Sequence, residues 1–148
     1  MAIAPVLDID HVPTQVAAID LTMVKRKLTD TEEGPGWSPD RAAAGEQEYR
    51  RFLQLKLLYP DEDIVPDAEV DAFWHQHILD TRAYASDSAA LFGDFLHHDP
   101  YFGLASVEER AELHAAFRRT RELYRQHFGD GTVGGPKKCH SCRPTRCK

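Results

Sequence analysis

The sequence predicts an all-α fold, a single compact bundle of four or five helices over residues 1–128 followed by a disordered basic tail over 129–148. Three observations predict it. Apolar side chains recur every three or four residues in several segments, cap-type residues stand in front of those segments, and no stretch alternates apolar and polar residues as a half-buried strand would.

Taken in chain order, Val16, Ile19, Met23 and Val24 share one side of a first helix over 14–28, with Thr14 placed to cap it. Residues 29–37 combine two glycines, a proline and three acids, the composition of a mobile loop. Ser38-Pro39-Asp40 then supplies a cap, a proline at the first helical position and an acid in the first turn. The helix it opens should reach about Tyr59, burying Tyr49, Phe52, Leu53 and Leu57, and Pro60 with the following acids stops it. Pro66-Asp67 opens a third helix that continues with a kink to Phe92, where Gly93 ends it. Ser106 and Glu109 make a capping box for the last helix, whose stripe is Leu113, Phe117, Tyr124 and Phe128, and Gly129-Asp130-Gly131 terminates it. Trp74, Phe95, Tyr101 and Phe102 could wall a pocket, but read first as core aromatics.

At 148 residues, 42% of them hydrophobic, the chain can build one real core. No apolar run approaches the roughly 18–20 residues of a bilayer span, and the N-terminus lacks a basic region followed by an apolar one. The expectation is a cytoplasmic protein without a membrane anchor. The last twenty residues carry five bases against one acid, so the net charge of −6 resolves into +4 on the tail and −10 on the rest. An acidic body argues against nucleic-acid binding by the domain, since phosphate neutralisation supplies most of such affinity. No phosphate-cradling glycine loop, G-x-S-x-G nucleophile or H-E-x-x-H helix is present.

The densest chemistry lies in Asp71-Ala-Phe-Trp-His75-Gln-His77 and in His97-His98, which place four of the eight histidines within 24 residues. On a helix advancing about 100° per residue, His75 and His77 stand about 200° apart and cannot share one ion unless the helix is distorted. Two candidate sites follow. An inward one combines His77, near the centre of the apolar face, with His97 or His98, and this is the sharper expectation for one ion. A lateral one pairs Asp71 with His75, one turn apart. Imidazoles with a carboxylate suit zinc or mononuclear non-haem iron. The plainer reading makes His77 a core histidine satisfied by Asp80 or Thr81, and His75 merely the partner of Asp71. His11, His114 and His127 are assigned no site role. In the tail, Cys139, His140, Cys142 and Cys147 form a second, weaker candidate for a soft metal ion, or else oxidisable thiols.

The blocks Val70-Asp71-x-Phe-Trp-His75-x-His77-Ile-Leu, Tyr84, and Leu91-Phe92-Gly93-x-Phe-Leu-His97-His98-x-Pro100 resemble the glycine-rich domain-containing protein-like family over residues 45–128. That resemblance implies a helical domain without naming a reaction. It departs at Asp87-Ser88, where such proteins often carry Asp-Cys, and in the short Cys/His tail that stands in place of a glycine-rich extension.

The functional expectation is therefore a small metal-binding helical protein, with Asp71, His75, His77, His97 and His98 as candidate ligands for zinc or iron, and with an enzymatic role on an unnamed small-molecule substrate if the ion keeps an open position. The alternative is a protein-protein interaction module with a buried polar histidine network, whose cysteine tail recruits a partner.

Overall fold

A computed structural model describes residues 12–129; the expected tail site at Cys139, His140, Cys142 and Cys147, and the expected tail disorder, lie outside the described residues. Among the described residues there are six helices and no strand: α1 Val12–Ala17, α2 Thr22–Thr29, α3 Pro39–Leu58, α4 Ala68–Leu79, α5 Thr81–Phe92 and α6 Val107–Phe128. The number exceeds the four or five expected because two of the expected helices are each broken in two. None is long and apolar enough to cross a membrane.

The first break follows Ala17. The Asp20 carboxylate accepts the Thr22 amide at 2.9 Å, an Asx turn that restarts the chain as α2. From α3, the Arg50 guanidinium donates to the Val16 and Ile19 carbonyls at 2.7 and 2.8 Å, satisfying acceptors that the end of α1 leaves over. The new phase turns Met23 outward, 62% exposed, while Val16, Ile19 and Val24 stay buried. Glu46 holds this corner through Arg50 and Lys25, each at 2.9 Å. Burial pushes the Glu46 carboxyl up, but the Lys25 and Arg50 hydrogen bonds outweigh it and the pKa lies below the ordinary value of 4.5. A depressed folded pKa gives stability that is present above about pH 4.5 and lost as pH falls through the folded value. The Glu46→Gln protein should accordingly be less stable by roughly 1 kcal/mol near neutral pH, with the difference vanishing in acid. Urea denaturation of both proteins across pH 3–7 measures it, and an undiminished difference at the acid end would count against the assignment.

Helix α3 is the hub, touching α1, α2, α4 and α6. Ser38 caps it, its hydroxyl accepting the Arg41 amide at 3.1 Å, and Tyr49, Phe52, Leu53 and Leu57 are buried as expected. At the head of α6 the Ser106 hydroxyl accepts the Glu109 amide, while the Glu109 carboxylate accepts the Ala105 amide, one residue earlier than in the usual box. Trp74 and Phe102 are core, but Phe95 and Tyr101 are not: they stand 41% and 71% exposed on the connection between α5 and α6.

The second break positions the site. At Asp80 the backbone leaves the helical region, with φ −82° and ψ 73°, and α5 turns back beside α4. Residues ten apart in a straight helix lie about 15 Å apart along its axis. Here Trp74 and Tyr84 instead meet at 2.9 Å, and His77 and Asp87 at 2.8 Å. Gly93 ends α5 in the left-handed region at φ 75°, as its sequence position suggests, and releases the chain that carries His98.

Candidate metal centre

Asp71 and His75 sit one turn apart on the same flank of α4, with His75 Nε2 3.3 Å from Asp71 Oδ1. The flank is theirs because the opposite face of α4, with Val70, Phe73, Trp74 and His77, is buried in the core. His98 arrives from the segment after α5, its Nε2 3.0 Å from the same Asp71 oxygen and 2.8 Å from His75 Nε2. Three donor atoms thus form a small triangle. Asp71 and His98 are half-buried and His75 is 52% exposed, so the triangle opens to solvent on the His75 side.

A set of contacts surrounds the His98 position. Its ring packs on Trp74 with centroids 4.5 Å apart. The Trp74 indole N–H donates to the Tyr84 hydroxyl at 2.9 Å, and that hydroxyl donates to the Leu96 carbonyl at 2.5 Å, two residues before His98. The Phe95 ring meets the Tyr84 ring edge-on at 5.1 Å. Burial raises the Tyr84 pKa against the hydrogen bonds of Trp74 and Ser88, so the phenol keeps its proton and remains a donor.

His77 lies on the other face of α4, 2% exposed, and belongs to a different hydrogen-bonded network, meeting Tyr84 only through an edge-on ring contact at 5.0 Å. Its Nε2 is 2.8 Å from Asp87 Oδ2 and its Nδ1 2.7 Å from the Tyr49 hydroxyl. A carboxylate only accepts, so Nε2 carries the proton and Nδ1 accepts from Tyr49. Burial lowers the His77 pKa below 6.5 despite the opposing pull of Asp87, and the same desolvation holds Tyr49 well above 10. With both nitrogens engaged, the expected pairing of His77 with His97 or His98 around one ion is not what the fold assembles. Its partners are also not Asp80 or Thr81, because the chain turns at Asp80 and delivers Asp87 instead.

His97 is exposed beside Phe95 and stands outside the triangle. His127, assigned no site role, bonds the Tyr59 hydroxyl at 2.6 Å. Sequence reading missed Tyr49, Tyr84 and Asp87 as polar partners of the histidine region. Tyr49 was visible only as an apolar stripe residue, and no spacing rule links a residue to one ten positions on across a corner.

The triangle has a chemical implication of its own. Each imidazole Nε2 presents either one N–H or one lone pair in the ring plane. Protons can therefore serve only part of the set. If both rings donate to Asp71, two N–H groups confront each other across 2.8 Å; if one ring donates to the other, a single proton is shared with the carboxylate. A cation would use all three lone pairs together.

No curated protein and no solved structure matches the chain. A family model described as UCP032817-like matches residues 21–126. This corrects the resemblance to glycine-rich domain-containing proteins: the matching family is another one, and it covers the helices from α2 to most of α6, both histidine blocks included. The chain belongs to the UCP032817-like family.

Proposed function

We propose that the protein binds one divalent transition-metal ion through Asp71, His75 and His98. The observation that carries the reading is the convergence of one carboxylate oxygen and two imidazole nitrogens within 2.8–3.3 Å of one another. A triangle of these edges has a circumradius of roughly 1.8 Å, so a point about 2.1 Å from every corner, an ordinary metal–ligand distance, lies about 1.1 Å off its plane. The ligand–ion–ligand angles there are about 84°, 91° and 104°, near those of one face of an octahedron. Two histidines and a carboxylate on one face suit iron(II), and zinc(II) with an open position is the other candidate.

Such an ion supplies Lewis acidity, or oxygen activation if it is iron, at positions open to an exogenous ligand. The protein's part is to hold three donors from two segments in one place, with the carboxylate and one imidazole half-buried and the other imidazole at the solvent edge. The buried polar network of the interaction-module reading has a counterpart at His77, but it faces the core and offers no surface to a partner.

Purification without an affinity metal column, followed by elemental analysis and anaerobic titration, tests the proposal. About one equivalent of iron or zinc per chain is the expected result. Less than a tenth of an equivalent as isolated, with no uptake of added iron(II) or zinc(II), would remove it.

A further inference from the structure

Two of the three proposed ligands share one helix and are placed by its geometry alone. The third is not. His98 follows six residues after the end of α5, in a segment without regular structure that carries the exposed Phe95 and His97. Something outside that segment must set where His98 stands, because a ligand displaced by even 1 Å no longer completes a metal face.

The Tyr84 hydroxyl is suited to that task. It is bonded to two groups at once, accepting from the Trp74 indole and donating to the Leu96 carbonyl. Trp74 lies between Asp71 and His75 in sequence and packs at a tilt against His98, while Leu96 is two residues from His98. One buried oxygen therefore ties the helix that bears two ligands to the backbone that bears the third. The edge contact with Phe95 adds an apolar hold on the same segment. The Tyr49 hydroxyl, equally buried, bonds His77 instead, at 2.7 Å.

We infer that Tyr84 is a positioning residue for the metal centre: its hydroxyl fixes residues 94–98 so that His98 meets Asp71 and His75. This rests on the metal-site reading for its consequence, but the positioning itself can be measured without metal. Outer partners that orient metal ligands typically change affinity 10–100-fold when removed.

The experiment compares wild type, Tyr84→Phe, Tyr49→Phe and Phe95→Ala in two measurements. Amide hydrogen exchange over residues 94–99 is recorded on metal-free protein, and cobalt(II) is titrated as a spectroscopic stand-in, followed by its visible absorption. Tyr84→Phe is expected to speed exchange in 94–99 and to weaken cobalt binding about 10–100-fold with an altered absorption band. Tyr49→Phe also loses a buried hydroxyl, and should leave cobalt affinity within about twofold. Phe95→Ala, at a partly exposed position that leaves no polar group unpaired, should shift both readings in the direction of Tyr84→Phe, and it keeps the test open should Tyr84→Phe not fold. Unchanged exchange over 94–99 in the Tyr84→Phe protein, or equal weakening by Tyr49→Phe, overturns the inference. Faster exchange in Tyr84→Phe with no cobalt bound by wild type upholds the positioning and removes the metal reading instead.

Discussion

Replacing His98 with alanine is expected to lower metal content from about one equivalent to below a tenth, and to weaken affinity by more than about a hundredfold. The floor follows from magnitude. Removing a residue that only orients a ligand costs 10–100-fold, and His98 supplies a third of the face itself, from a half-buried position against Trp74. Asp71→Asn should act in the same direction while keeping nearly the same shape, because it removes the negative charge to which both imidazoles are adjacent. His97→Ala should change neither quantity, since its exposed ring stands outside the cluster. Thermal denaturation gives an independent readout: a ligand at 100 times its dissociation constant stabilises the native state by about 2.7 kcal/mol, so added metal should raise Tm for wild type and His97→Ala but not for His98→Ala. Binding by His98→Ala within threefold of wild type would mean that the triangle is not the site.

His77→Ala is expected to destabilise the fold by about 3–5 kcal/mol, through a cavity in the core and two polar groups stripped of their partner. The Tyr49 hydroxyl is wholly buried, and the Asp87 carboxylate is half-buried. Neither has an obvious replacement for the imidazole between them. In a domain whose total stability is of order 10 kcal/mol, such a loss is severe. Urea denaturation should show the midpoint falling with little change in slope. The fraction that remains folded should still bind metal with near wild-type affinity, which separates His77 from the ligand set in which its sequence position had placed it. A loss below about 1 kcal/mol would contradict the buried network.

Much of the helical frame was legible. Ser38-Pro39-Asp40 and Ser106 with Glu109 mark the starts of α3 and α6 because capping is local chemistry. The proximity of Asp71 and His75, and their separation from His77, also follow from helix pitch alone. The corners were harder. At Asp80 no proline or glycine interrupts the pattern, and although aspartate is a cap-type residue its side chain makes no cap bond here. Missing that corner hid Asp87 from His77 and Tyr84 from Trp74. The choice of His98 over His97 was equally beyond periodicity, since it depends on how the backbone turns after Gly93 and on what packs against Trp74. Phe95 and Tyr101 show the converse failure: aromatic character suggested burial, but a short connection has only so much core within reach.

The back-to-back placement of His75 and His77 gives the two letters of His-x-His unrelated jobs at adjacent addresses. One ring meets the proposed ion at the solvent edge and the other closes a hydrogen-bonded chain in the interior. Because the two rings share no hydrogen-bond partner, the substitution of one should be read chiefly in binding and that of the other chiefly in folding. A sequence that kept only His77 would keep this architecture with the ion-binding edge erased, and one that kept only His75 would carry the edge on a weakened frame.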